Sequence, residues 1–246
     1  MIRRIFYCSE KIMKREDYEI QTTEDGSTTI WLKDMDEHYH SVKGALTESC
    51  HIYRDGAFLH RHGGTPLRLL EVGFGTGLNA AVTAMASRRD CPVHYFSVEK
   101  YPVESTLLGA LAYDKALQDE VWQFIIQASW NEPVKILPTF ILEKLHADFL
   151  TMHLPEKIDV VYYDAFAPEK QPEMWSKDIF ERLYAVMNNG AVLTTYCAKG
   201  VVRRMLQDVG FTVERIPGPP GGKREVLRAT KKEEETSVRS LPPLCD

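Results

Sequence analysis

From residue 67 onward the chain alternates short apolar runs with amphipathic stretches. Residues 67–72, 93–98, 140–145 and 158–163 are dominated by aliphatic, β-branched and aromatic side chains, and each run has strand length. Between them, residues 80–87, 103–113 and 119–128 have helical spacing. Residues 177–187 form an amphipathic helix stopped by Asn188-Asn189-Gly190, and 191–196 is a further strand. A short helix over 201–208 ends before Gly210, and two last strands, 211–215 and 225–229, flank a Pro- and Gly-rich connection at 217–222. This order predicts an α/β fold with a doubly wound, Rossmann-like, mainly parallel sheet and a C-terminal antiparallel strand. Upstream, residues 1–30 are mixed and polar, with turn chemistry at Glu24-Asp25-Gly26-Ser27, and 28–32 is a short strand. Residues 36–49 are polar, aromatic and irregular, the composition of a lid over a ligand site. The expected organisation is an N-terminal extension and lid over 1–50, the catalytic α/β unit over 51–230 and a disordered tail over 231–246.

Composition narrows the functional classes. A hydrophobic share of 44% supports a sizeable core, and a net charge of −5 gives no global basic field, so any nucleic-acid contact must come from a local patch. The five cysteines are scattered without a C-x-x-C pair, which suits reduced thiols in a cytoplasmic protein. Ser9, Glu10, Lys11 and Lys14 interrupt any leader-like apolar region, and no run is long enough to span a membrane. Met13 is a plausible alternative start, which would make residues 1–12 an upstream extension. The two H-x-H pairs, His38/His40 and His60/His62, lack acidic or cysteine partners at ligand spacing, so no metal site is expected.

The chemistry concentrates at the strand ends. The first core strand runs into Glu71-Val72-Gly73-Phe74-Gly75-Thr76-Gly77-Leu78-Asn79, a tight glycine turn opening a helix. The third glycine comes one residue earlier than in the dinucleotide fingerprint, and E-x-G-x-G-x-G suits S-adenosylmethionine (SAM), whose methionine part lies against the glycines. Ligands of such sheets bind beyond the carboxyl ends of the strands. There the chain places Glu71, then Glu99 with Lys100, then Asp148, then Asp164. Glu99 can accept from ribose hydroxyls, Asp148 from the adenine amino group, and Asp164 can orient an amine nucleophile, take its proton or hold the product cation. Phe74, Tyr39, Phe166 and Tyr196 can wall a cation or a flat base. The expected cofactor set is therefore the loop residues Glu71, Gly73, Phe74, Gly75, Thr76, Gly77 and Asn79 with Glu99, Lys100, Asp148 and Asp164, and Asp164 is also the expected catalytic acid.

Three runs give the chain a specific resemblance. Gly73 to Asn79 reads G-F-G-T-G-L-N, Asp164 to Trp175 reads D-x-F-A-P-x-x-x-P-x-M-W, and Gly200 to Phe211 with Gly222-Lys223-Arg224-Glu225 forms the ending. Together they resemble the methyltransferase domain of the MnmC family, the bifunctional tRNA wobble-uridine enzymes, over about residues 30–229. The lid pattern Y-F-S-x-x-N-G-L-x-E-T is kept here at Tyr39, Ser41, Leu46 and Glu48, but its N-G turn is altered. The resemblance implies methyl transfer from SAM to the aminomethyl nitrogen on C5 of the wobble uridine, giving 5-methylaminomethyl-2-thiouridine. It implies tRNA carrying an aminomethyl-uridine as partner, no membrane, and a functional link to the enzymes that supply the aminomethyl group. The bifunctional proteins add an FAD-dependent oxidase domain, which this sequence lacks, so a stand-alone methyltransferase is expected. Tyr39 and Phe166 become substrate contacts, and Arg203, Arg204, Lys223 and Arg224 the phosphate contacts. Two other classes stay open from sequence: a small-molecule amine methyltransferase or aminopropyl transferase, and a non-catalytic binding module that kept the fold.

Overall fold

The computed structural model describes residues 17–61, 66–111, 113, 117 and 119–233. The predicted tail from 234 onward, the alternative start at Met13 and His62 lie outside the described residues. Strands β1 (Tyr18–Thr22), β2 (Thr28–Leu32) and β3 (Glu37–His38) form an antiparallel ribbon. A continuous helical segment follows: α1 (Ala45–Glu48), π-type turns over Ser49–Phe58, and α2 (Leu59–Arg61). Then come β4 (Leu67–Val72), α3 (Leu78–Ala86), β5 (Val93–Glu99), α4 (Ser105–Leu108), α5 (Asp119–Gln127), β6 (Pro133–Leu137) and β7 (Phe140–His146). The last elements are β8 (Ile158–Tyr163), α6 (Lys177–Val186), β9 (Met187–Thr195), α7 (Gly200–Val209), β10 (Phe211–Pro217) and β11 (Glu225–Lys231).

The main sheet has the order β10-β11-β9-β8-β4-β5-β7-β6. β7, β5, β4, β8 and β9 are parallel neighbours, β11 runs antiparallel to β9, and β6 adds an antiparallel edge to β7. The expected fold class therefore holds. From β4 the chain winds outward through β5 to β7, then returns to β8 on the other side, so the switch point lies between β4 and β8. Alternation along β8 shows why both faces are filled. Val160 and Tyr162 join the core under α3, α5 and the π-type turns, whereas Val161 and Tyr163 join the core under α6 and α7. Among the described residues no helix is long and apolar enough to cross a membrane.

Four local expectations are corrected. The polar stretch before residue 28 contains β1, paired to β2 in the register Tyr18↔Leu32. Residues 45–49, within the stretch expected as an irregular lid, open a helical segment that runs on to residue 61, and Gly56 lets that segment cross the sheet closely. A Cβ there would meet His51 O at 3.2 Å and Ile216 Cδ1 at 3.3 Å. The helix expected over 103–113 is cut to α4, with Gly109 at its C-cap. Residues 133–137, not expected as an element, form edge strand β6, whose mixed polar pattern fits an exposed edge.

Candidate active site

At the end of β4 the chain turns through Gly73, Gly75 and Gly77 with φ of 94°, 50° and 77°. Side chains rarely adopt these values, and each glycine also lacks room. A Cβ on Gly73 would lie 2.8 Å from the Asp164 carbonyl oxygen, one on Gly75 would lie 2.9 Å from the Tyr39 ring, and one on Gly77 would lie 2.7 Å from the Phe74 ring. The turn after β4 thus abuts the turn after β8, and Asp164 N–H donates to Val72 O at 3.1 Å. Phe74 is buried against Trp130 edge-on at 5.6 Å, with the Lys144 ammonium 5.2 Å from its ring. Lys144 itself is buried and donates to Ile125 O and Ile126 O at the end of α5.

The acids after the strands have different surroundings. Glu71 is fully buried opposite Ser97, whose hydroxyl donates to it at 2.5 Å; burial pushes its pKa up to about 8. Glu99 reaches across the glycine turn, accepting from Gly75 N–H at 3.1 Å and from Tyr101 N–H at 2.9 Å. Burial raises its pKa, and those backbone donors oppose the rise. Asp148 pairs with Lys100 at 2.8 Å and caps its own turn by accepting from Leu150 N–H at 3.0 Å. Burial works to raise the Asp148 pKa, but the Lys100 and Leu150 contacts outweigh it, so the group sits low.

Asp164 is the convergence point. Tyr53 from the π-type turns donates to its Oδ1 at 2.5 Å, and Asn79 from α3 donates to its Oδ2 at 2.8 Å. Burial pushes Asp164 up to about 7; nearby Glu48 adds to the rise, while Tyr53, Asn79 and Lys223 restrain it. The loop beyond it is rigid. Trp175 Nε1 donates to Phe166 O at 2.8 Å, Tyr196 donates to Ala165 O at 2.9 Å, and Phe166 N–H donates to Gln171 Oε1 at 3.1 Å. Tyr39 meets Phe166 edge-on at 5.4 Å, which brings the expected substrate aromatics together beside the glycine turn. The ribbon is docked here by buried His40, whose Nε2 lies 2.6 Å from Thr76 Oγ1. Burial holds His40 down to about 4, so it is neutral at physiological pH.

Lys223 is not simply an exposed phosphate binder. Its ammonium lies 4.3 Å above the Tyr196 ring and 4.0 Å from Glu48 Oε2. Arg204 and Arg224 are exposed, and Arg203 is half-buried with its Nε unpartnered among the described residues. Sequence reasoning missed Tyr53 and His40 as site residues and treated Glu48 only as part of the lid pattern. Tyr53 lies five residues after Glu48, a spacing that faces the same way only on π-type turns.

The cradle fits SAM: bare glycine backbone for its methionine part, an α3 N-terminus behind it, and the Glu99 carboxylate one strand away for a ribose. A family model for S-adenosyl-L-methionine-dependent methyltransferases matches residues 140–232. The chain is 32% identical over 226 residues to the tRNA 5-methylaminomethyl-2-thiouridine biosynthesis bifunctional protein MnmC of Cupriavidus necator, covering 85% of this chain and 34% of that protein. The corresponding protein of Cupriavidus metallidurans is 33% identical over 225 residues, covering 85% and 33%. The chain thus spans about a third of the length of these relatives. Among solved structures, MnmC2 from Aquifex aeolicus superposes with a TM-score of 0.73 at 26% identity, over 89% of this chain and 73% of that one. Spermidine synthase from Thermotoga maritima shares the fold, with a TM-score of 0.56 at 14% identity over 87% and 69%. The glycine cradle and the sheet order agree with these matches: the chain is similar to S-adenosyl-L-methionine-dependent methyltransferases over residues 140–232, and the MnmC proteins are among its relatives.

Proposed function

We propose that the protein methylates the aminomethyl nitrogen on C5 of the tRNA wobble uridine, converting 5-aminomethyl-(2-thio)uridine to 5-methylaminomethyl-(2-thio)uridine. The observation that carries the reading is Asp164: a carboxylate at the switch point, directly against the glycine turn, under an aromatic wall of Tyr39, Phe166 and Tyr196. SAM, when bound, supplies an activated methyl group on a sulfonium. The chain's task is alignment, worth up to about 7–11 kcal/mol when reacting atoms are held in line. Tyr53 and Asn79 fix the Asp164 carboxylate, which faces the amine nitrogen and favours the cation formed there. Gly73 to Asn79 with Glu99 hold the cofactor in this reading, and Lys100 and Asp148 act on its adenine side by shaping the turn after β7. Tyr39 and Phe166 flank the uracil ring, and Arg203, Arg204, Lys223 and Arg224 supply the local basic rim that an acidic chain needs to hold an anticodon arm. Residues 1–50 serve as extension and lid to the 51–230 catalytic unit. The reading places the protein in the cytoplasm, alongside enzymes that install the aminomethyl group.

The test is incubation with labelled SAM and tRNA bearing 5-aminomethyl-uridine, followed by nucleoside analysis. The expected product is the methylaminomethyl nucleoside at the wobble position. Cofactor binding by calorimetry with no methylated nucleoside would overturn the tRNA reading.

A further inference from the structure

Asp164 is not alone in the acceptor site. Glu48, at the end of α1, is buried, and its Oε1 accepts from Ser41 N–H at 3.1 Å. Its Oε2 accepts no hydrogen bond among the described residues and faces the Lys223 ammonium at 4.0 Å. Both Asp164 oxygens, by contrast, already have donors. Lys223 completes a recognisable arrangement: an alkylammonium over the face of Tyr196, beside one carboxylate and in the field of a second. That is the environment an alkylammonium substrate would need, here filled by the chain's own lysine.

We propose that Glu48 is a second acid of the methyl-transfer site and takes the proton from the acceptor's alkylammonium, while the ionised form of Asp164 holds the cation. The proposal rests on the amine-methylating function given above. A primary alkylamine, like a lysine side chain, titrates near about 10 and is almost wholly protonated at pH 7. Protonated nitrogen has no lone pair to attack with. One N–H bond breaks and an O–H bond forms on Glu48 Oε2. The freed lone pair attacks the sulfonium methyl carbon, an N–C bond forms, and the electron pair of the broken C–S bond remains on sulfur as a neutral thioether. The positive charge is then on the product nitrogen, opposite Asp164, and Glu48 returns its proton to solvent. The groups facing Glu48 are Lys223 from the β10–β11 connection, Asp164 after β8, Tyr196 after β9, Tyr53 on the adjoining π-type turns, and Ser41 N–H. Burial raises the Glu48 pKa and so makes it a stronger base, and Lys223 and Ser41 N–H oppose the rise.

The experiment compares wild type and Glu48→Gln on an anticodon stem-loop bearing 5-aminomethyl-uridine, with kcat/KM followed from pH 6.5 to 9.5. Thermal melting and SAM calorimetry are run alongside. Glutamine keeps the Ser41 contact and loses the proton acceptor. A loss on the order of 100-fold at pH 7, narrowing at least about tenfold by pH 9.5 as free amine accumulates, with SAM affinity unchanged, is the expected result. Equal activity at all pH, or a loss that does not narrow with pH, would overturn the assignment and leave Glu48 a lid-packing residue. Lys223→Met provides a second reading from an exposed position: losing the cation should move the acid limb of the profile upward, and an unmoved limb counts against Glu48. Should wild type itself fail to methylate this acceptor while binding SAM, the substrate reading falls first, independently of either variant.

Discussion

Replacing Tyr53 by phenylalanine removes one hydroxyl and little volume, yet that hydroxyl is one of two donors holding Asp164. A hydrogen bond to a charged group is worth about 1.5–3 kcal/mol, and one pKa unit corresponds to about 1.4 kcal/mol. Losing a donor that favours the ionised carboxylate should therefore raise Asp164 by roughly one to two units. From about 7 in the wild type, the group would move to roughly 8–9. At pH 7 its ionised fraction would drop from about one half to about one tenth or less. In kcat/KM measured from pH 6 to 10 on an aminomethyl-uridine stem-loop, the acid limb of Tyr53→Phe should shift upward by that amount. Because Glu48 raises Asp164, the limb reports the two acids together, and the expected sign is the same for both. SAM affinity should stay near wild type, since Tyr53 is anchored in the helical segment and touches Asp164, not the glycine turn. A limb that stays in place, or moves to lower pH, would refute the view that Tyr53 tunes this carboxylate.

Two further outcomes follow from the same geometry. Glu71 titrates at about 8 in the fold because it is buried, against 4.5 ordinarily. The folded state therefore holds a proton that the unfolded state releases, and stability falls as pH rises from about 4.5 to 8. Glu71→Gln removes that penalty, so its advantage in urea unfolding should be small at pH 4.5, grow to several kcal/mol by pH 8 and then level off; an advantage independent of pH would contradict a titrating Glu71. Gly73→Ala places a Cβ 2.8 Å from Asp164 O at a φ of 94°. With left-handed backbone costing about 1–2 kcal/mol before the clash, SAM affinity measured by calorimetry should fall about tenfold or more; an unchanged Kd would show that the two turns can separate freely.

The alternating pattern was enough to predict the sheet class because buried parallel strands and their covering helices differ in period and length, as in Ile158–Tyr163 against Lys177–Val186. The glycine turn and the acids after β4, β5, β7 and β8 were legible for the same local reason: strand ends and tight turns carry their chemistry in adjacent residues. What the linear order could not supply was which of these side chains meet. Glu71 reads like a ligand-facing acid but pairs with Ser97 beneath the turn, a consequence of the β4–β5 register. Asp148 reads like a base-binding acid but is engaged by Lys100 from the neighbouring strand end. Tyr53 and Glu48 reach Asp164 from more than a hundred residues upstream, Glu48 from the end of α1 and Tyr53 from turns whose π-type period hides it from a 3.6-residue reading. Lys223 lies beside them only because the β10–β11 connection folds back over the switch point. Local periodicity and turn chemistry thus determined the sheet class and the glycine cradle. The proposed acceptor site was decided by tertiary packing, because its charges and hydroxyls come from the helical segment, the β8 and β9 ends and the β10–β11 connection, and their pKa shifts arise from burial against one another.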